Sequence, residues 1–282
     1  MSNTPDIALI GPGVMAEAII GGLIRNRVTD PANIIGAGPR QERGDVLIAR
    51  YGIRFTTENA AAVKDAGVIV LAVKPQRVQT VLAGLRGATA PEALVLSIVA
   101  GTTIQTISEL LDHASVVRVM PNTPAQIGQG ISVWTSSPSV TPRQMELARS
   151  ILLALGQEIF VEDENMLDMA TALSGTGPAY VFLFMEALVD AGVHLGFPRR
   201  ISEQLVLQTL RGSVEYYAQK KDHPAHLRNE VTSPGGTSAA ALYYLEKAGF
   251  RTAISRAIWA AYERSQELGR GKASAPPEKQ GN

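Results

Sequence analysis

The sequence predicts an α/β domain with a doubly wound, mostly parallel sheet, followed by a C-terminal all-α domain. Three observations carry this. Up to about Val161, short runs that are apolar throughout alternate with helical patterns, as expected of strands covered by helices on both faces. The first of those runs ends in a glycine turn that opens a helix. Beyond Asn165 the short runs stop and long helical stretches take over.

In chain order, residues 6–11 (DIALIG), 33–38 (NIIGAG), 67–75 (GVIVLAVKP), 93–101 (ALVLSIVAG) and 116–124 (VVRVMPNTP) each predict a strand running into a loop. Residues 131–137 and 157–163 predict two more strands, with a helix over 141–155 between them. Residues 178–195 (PAYVFLFMEALVDAGVHL) place Glu186, Asp190 and His194 four apart on one polar stripe of a helix. Apolar residues fill its other sides, which need cover from the same domain or from a second chain. Pro198 starts another helix to about Tyr217, and two more begin near Ser238 and Phe250. His223 and His226 read as a surface turn. The expected division is residues 1–163, residues 164–270, and a flexible Gly/Pro/Lys-rich tail over 271–282.

Composition narrows the chemistry. Formal net charge is zero over 282 residues, so a polyanionic partner such as nucleic acid is not predicted. Charged residues make up 18%, below the roughly 25% of ordinary soluble chains, which points to surface hidden in an oligomer. There is no cysteine, which excludes disulfide and thiolate chemistry and fits a cytoplasmic location. The N-terminal residues have no basic stretch before a long apolar run, and no uninterrupted apolar run reaches the ~20 residues of a bilayer span. Neither a leader nor a membrane partner is predicted. The four histidines have no metal-ligand spacing, and no nucleophile elbow, zinc-protease helix or phosphate-loop lysine occurs. Hydride transfer fits better than hydrolysis or phosphoryl transfer.

The stretch IGPGVMAEAI supplies G-x-G-x-x-A as Gly11, Gly13 and Ala16, directly after the first strand. Gly11 permits a tight turn, Gly13 lets the backbone approach a pyrophosphate, and Ala16 allows close helix–strand packing. A dinucleotide is the predicted cofactor. At the end of the second strand an Asp or Glu would grip the ribose 2′-OH of NAD. IIGAGPRQER has no acid before Glu42 and offers Arg40 and Arg43, which either meet a 2′-phosphate or sit in solvent. NADPH is therefore preferred, with NADH as the alternative. Lys74 of AVKP and Asn122 of MPNTP end strands at the carboxyl edge, where ligands of such sheets sit.

In VTSPGGTSAAAL, Pro234 is expected to stop one helix, Gly235 and Gly236 to allow unusual backbone angles, and Thr237 or Ser238 to cap the next. Free amides at that helix start would hold a carboxylate without an arginine; a plain helix–turn–helix corner is the alternative. A second break, LSGTGPAY, carries Gly175 and Gly177 and leads into Pro178 as the first residue of the apolar helix.

Taken together, IGPGVMAEAI, AVKPQ, RVMPNTPAQIGQG, LSGTGPAYVF and VTSPGGTSAAAL resemble the pyrroline-5-carboxylate reductase family along almost the whole chain. The resemblance implies NAD(P)H-dependent reduction of 1-pyrroline-5-carboxylate to L-proline, the last step of proline synthesis. It also implies a Rossmann domain, a helical dimerisation domain, and homodimers that often assemble into decamers. For the cofactor it implies Gly11, Pro12, Gly13, Val14 and Met15, then Gly38, Pro39 and Arg40. Asn59, Ala72, Val73, Lys74, Pro75, Ala100 and Gly101 continue that set, with Asn122 near the nicotinamide. For the substrate it implies Glu164, Glu230, Ser233, Gly235, Gly236, Thr237 and Ser238, with Ser238 as the catalytic donor to the imine nitrogen. Val14 stands where the family commonly has Asn, Ser238 where Thr is usual, and Glu230 where some members have Asn. A carboxylate at 230 beside an anionic substrate is unfavourable unless it points away. Two other readings stay open: a reductase of a different imine or 2-oxo acid, and an NADP(H)-binding regulator without turnover. A 6-phosphogluconate-type enzyme would want a lysine within residues 178–195, and there is none.

Overall fold

The computed structural model describes residues 5–269, so the predicted tail over 271–282 lies outside the described residues. The chain divides into two units, Met1–Thr176 with Ala261–Asn282, and Gly177–Ala260.

The first unit is built on an eight-stranded sheet. Its strands are β1 (Ile7–Ile10), β2 (Ile34–Ala37), β3 (Arg54–Thr56), β4 (Val68–Leu71), β5 (Leu94–Ser97), β6 (Val116–Met120), β7 (Gly130–Ser136) and β8 (Gly156–Phe160). They lie in the order β3-β2-β1-β4-β5-β6-β7-β8, parallel throughout except between β6 and β7. All seven predicted strands are present. The eighth, β3, was not predicted: it is a three-residue edge strand with Arg54 exposed and Phe55 and Thr56 half-buried, too short and too wet to leave an apolar run.

Helices α1 (Val14–Arg25), α2 (Gln41–Tyr51), α3 (Asn59–Val63), α4 (Val78–Ala83), α5 (Ile104–Leu111) and α6 (Pro142–Leu153) complete the layers. Strand side chains alternate between faces. Ile7, Leu9, Val68, Val70, Leu94 and Leu96 join one core with Ile19 and Leu23 of α1 and Ile151 of α6. Ala8, Ile10, Ile69, Leu71 and Val95 join a second with Val63 of α3, Leu82 of α4 and Ile107 of α5. This two-sided burial is why the strand segments are apolar at nearly every position. Thr141 and Gln144 form a reciprocal capping box that starts α6.

α7 (Met166–Ala170) follows β8, and no further strand occurs among the described residues. The predicted break at residues 173–177 is not an open loop. Thr171–Gly175 form a π-helical turn, held by Thr176 N–H to Thr171 O at 2.8 Å and by the Thr171 and Ser174 hydroxyls donating to Leu167 and Ala170 carbonyls. Local hydroxyl–carbonyl bonds have replaced the loop that two glycines suggested. The run Met166–His194 is thereby nearly continuous, and by length and composition alone it could cross a membrane.

The second unit contains α8 (Gly177–His194), α9 (Arg199–Lys220), α10 (Pro224–Glu230), α11 (Thr237–Lys247) and the start of α12 (Phe250–Gly269). α10 replaces the predicted surface turn. Pro224 suits its first position, the His223 ring accepts the Ala225 N–H at 3.2 Å, and His226 lies inside it, paired with Asp222. Within this unit only Val189 and Ser202 are buried, whereas Phe182, Leu183, Leu205, Tyr243, Tyr244 and Trp259 are exposed. Four helices carrying that much apolar surface have no core of their own and need cover from outside the unit.

Candidate functional site

The first cluster lies at the carboxyl edge of the sheet. β1 ends at Ile10, and Gly11 follows in a left-handed conformation, φ +86°. A Cβ on Gly11 would stand 2.7 Å from the Val73 side chain and 3.0 Å from its backbone, so only glycine fits. Gly11 N–H donates to Ala37 O at 2.9 Å and Gly13 N–H to Gly11 O at 2.7 Å. The first α1 amide to find a main-chain carbonyl is Glu17, bonded to Gly13 O at 3.0 Å. The amides of Val14, Met15 and Ala16 ahead of it are therefore free, and the helix dipole favours an anion there.

The segments after β1, β2, β3 and β4 enclose a cleft of ≈ 410 Å³. It brings together Gly11, Pro12, Gly13, Gly38, Pro39, Arg40, Asn59, Ala72, Val73 and Lys74. It adds Arg77, Thr80 and Val81, which lie just past AVKPQ on a short 3₁₀ turn and a six-residue helix, and Thr57, which follows the unpredicted edge strand β3. No carboxylate lines the cleft, and the side chains of Arg40, Lys74 and Arg77 form no ion pair among the described residues. Asn59 Oδ1 is buried without a partner, an acceptor that a ligand donor would satisfy. A glycine cradle, free cations and an orphan acceptor together fit an anionic dinucleotide.

Other predicted residues lie outside the lining of this cleft. Val14 is exposed, and Met15 and Pro75 are half-buried. Ala100 and Gly101 follow β5 and Asn122 follows β6, on the same carboxyl edge. Gly101 packs so closely on Leu268 and Gly269 of α12 that a Cβ would stand 2.7 Å from Gly269 N. Asn122 accepts the Ile131 N–H at 2.9 Å and donates to Ser174 O at 3.3 Å, tying β6 to the π-helical turn.

Arg43 also lines the cleft, but its guanidinium is engaged. Nε donates to Pro12 O at 2.9 Å, and the group pairs with Glu17. Glu17 further accepts Arg50 at 2.8 Å and Tyr51 Oη at 3.1 Å. Burial pushes the Glu17 carboxyl up, yet the bonds from Arg43 and Tyr51 and the charges of Arg43 and Arg50 outweigh it and hold the pKa below its ordinary 4.5. Burial and the neighbouring Glu17 push the Tyr51 hydroxyl the other way, upward. The network fastens α2 to α1 and to the glycine turn.

Glu164 lies just before α7. Its Oε1 accepts the Ile104 N–H at 2.8 Å and Arg118 Nη1 at 2.9 Å. Arg118, 3% exposed on β6, also meets Asp168 at 3.1 Å, and Asp168 accepts Ser265 Oγ at 2.8 Å. The buried cation is thus paired twice, which its burial requires.

The second cluster belongs to the helical unit. α10 closes at Glu230, so Pro234 lies past its end rather than stopping it. Gly235 takes φ +71°, and Gly236, not Thr237 or Ser238, is the cap of α11, with no side-chain bond. Gly236 N–H donates to Ser233 O at 3.1 Å, and a Cβ on Gly236 would collide with Ser233 Oγ. Ala240 N–H, bonded to Gly236 O at 3.2 Å, is the first amide the helix uses. Among the described residues the amides of Thr237, Ser238 and Ala239 therefore have no main-chain acceptor, and Ser238 is half-buried. Glu230 accepts Tyr216 Oη of α9 at 3.3 Å.

Two families match this chain. The one described as pyrroline-5-carboxylate reductase dimerisation matches residues 164–268. The one described as NADP oxidoreductase coenzyme F420-dependent matches residues 6–101. A pyrroline-5-carboxylate reductase of Synechocystis sp. is 44% identical, over 94% of this chain and 98% of its own. One of Pseudomonas aeruginosa is 41% identical, over 94% and 97%. The crystal structure of Plasmodium falciparum pyrroline carboxylate reductase with NADP bound superposes with a TM-score of 0.87 at 33% identity, over 95% of this chain and 99% of that one.

Two outcomes are expected. Gly11→Ala forces a strained φ and displaces Val73, so NADPH affinity by fluorescence titration falls by about 10- to 100-fold while circular dichroism stays that of a folded chain. Because the folded pKa of Glu17 is depressed, its stabilising contribution is full above about pH 4.5 and is lost as pH falls through the lower folded value. Glu17→Gln then lowers stability at pH 7 by about 1 kcal/mol. Thermal melts across an acid titration should show the gap between variant and parent closing below pH 4.5.

Proposed function

This chain belongs to the pyrroline-5-carboxylate reductase family, and we propose from that premise how its residues act. It is an oxidoreductase that reduces the C=N bond of 1-pyrroline-5-carboxylate to give L-proline, the final step of proline biosynthesis, with NAD(P)H as cofactor. NAD(P)H, when bound, supplies the hydride that C5 of the imine receives.

The chain's part is to hold both reactants and to hydrogen-bond the nitrogen. Gly11, Pro12, Gly13, Val14 and Met15 offer their backbone to the pyrophosphate. Gly38, Pro39, Arg40 and Asn59 meet the adenosine side, and Ala72, Val73, Lys74 and Pro75 border it. Ala100, Gly101 and Asn122 are assigned to the nicotinamide end. Arg40, with no acid at the end of β2, favours NADPH over NADH.

The observation that carries the substrate assignment is the turn before α11, three amides without a main-chain acceptor at a helix start that includes Ser238. Thr237 and Ser238 hold the substrate carboxylate on those amides, with Ser233, Gly235 and Gly236 shaping the turn. Ser238 Oγ hydrogen-bonds the nitrogen, accepting the N–H of a protonated iminium or donating to the neutral imine. A serine hydroxyl is far too weak an acid to give up a whole proton at neutral pH, so Ser238 orients an iminium protonated in solution or relays from water. Rate then comes mainly from holding the reacting carbons in a near-attack geometry. Glu164 and Glu230 are assigned to the substrate from the family alone. Glu230 is compatible with an anion because its carboxylate is turned to Tyr216.

The matched dimerisation region and the uncovered apolar residues of the helical unit support a homodimer, and decamers would be assemblies of such dimers. The absence of cysteine supports a cytoplasmic location.

Adding 1-pyrroline-5-carboxylate to protein and NADPH should produce fast NADPH oxidation. Ser238→Ala should lower kcat by about 10- to 100-fold with NADPH affinity unchanged. NADPH binding without turnover would overturn the substrate assignment. Light scattering coupled to the assay should find activity only in species of two chains or more, and an active monomer would contradict the dimer.

A further inference from the structure

We propose that Arg77 is a second determinant of cofactor choice, closing with Arg40 on the ribose 2′-phosphate that distinguishes NADPH from NADH. The inference rests on reading the cleft as an NAD(P)H site, and it concerns a residue that no motif in the sequence marks.

The end of β2 supplies two arginines in sequence, but only one is available. Arg43 is fastened to Glu17 and to Pro12 O, so its donors serve the glycine turn. A dianionic phosphate met by Arg40 alone would keep half its charge uncompensated. Arg77 sits on the other rim. β2 and β4 are both paired to β1, with Ile10 opposite Ala37 on one side and Leu71 on the other. The loops carrying Arg40 and Arg77 are thus rooted two strand spacings apart, roughly 10 Å. Long side chains from either rim can converge on one anion between them, and guanidinium forks suit phosphate oxygens.

The root of Arg77 is fixed. It ends the 3₁₀ turn Pro75–Arg77, directly before Val78 and Leu82 of α4, which are 4% and 0% exposed in the core. Its side chain is exposed and forms no ion pair among the described residues, and no carboxylate lines the cleft to compete for it. The rival role is a stack on the adenine ring, a cation–π contact that NADH and NADPH would share equally.

Titration calorimetry with 2′,5′-ADP and with 5′-AMP separates these roles without any turnover. Parent, Arg77→Ala, Arg40→Ala and the double variant are compared. Each single substitution should weaken 2′,5′-ADP by about 10-fold or more and leave 5′-AMP unchanged. The double variant should bind both nucleotides alike. Equal weakening of both by Arg77→Ala would overturn the proposal in favour of adenine stacking, and no change in either would overturn it outright. A parent that binds neither nucleotide would sink the cleft assignment itself, a failure distinct from a change confined to the variant.

Discussion

The ligand-facing half of the first unit depends on a side chain that is missing. Gly11 turns the chain at φ +86° with Val73 at its Cα, and a Cβ there has no room. That turn lets Pro12 lie against Gly38, where a Cβ on Gly38 would stand 2.7 Å from the proline ring. It also brings the start of α1 directly behind Gly13, which lines the cleft. Arg43 then holds the turn from α2 through Pro12 O, and Glu17 of α1 holds Arg43. Local backbone geometry, a charge-assisted bond and helix packing therefore fix one object, the anion-binding end of β1.

The helical unit solves the same problem with less. Gly235 and Gly236 replace Gly11 and Gly13 as the permissive pair, and the start of α11 replaces that of α1. No arginine is needed, because three unpaired amides and a helix dipole already favour one carboxylate. In the proposed assignment, a small carboxylate falls to neutral groups, whereas the larger, more charged cofactor falls to a cleft lined by Arg40, Lys74 and Arg77. The two turns thus divide recognition by charge.

Much of this was legible in the sequence, for definite reasons. Strands buried on both faces are apolar at nearly every position, so β1, β4, β5 and β6 stand out, with Ser97 and Arg118 as the exceptions. Gly11 and Gly235 stand out because their positive φ favours glycine. What was not legible depended on partners distant in sequence or on local bonds. β3 is half-wet, the π-helical turn relies on hydroxyls of Thr171 and Ser174, and α10 is capped by a histidine. The engagement of Arg43 could not be read, because Glu17 lies 26 residues away and only the packing of α1 on α2 brings them together. Arg77 was invisible for the converse reason, a free side chain on a short turn with no pattern around it. The low charge content has a counterpart in the helical unit, where Phe182, Leu183 and Trp259 are exposed.

The central claim is that this chain moves a hydride onto the carbon of a cyclic imine. The most direct measurement uses NADPH deuterated at nicotinamide C4, on either face, with 1-pyrroline-5-carboxylate, followed by mass and NMR analysis of the product. The account predicts L-proline formed mole for mole with NADPH consumed, and deuterium at C5 from one face only. Proline free of label with both deuterated cofactors, or NADPH bound tightly with no proline formed, would contradict it.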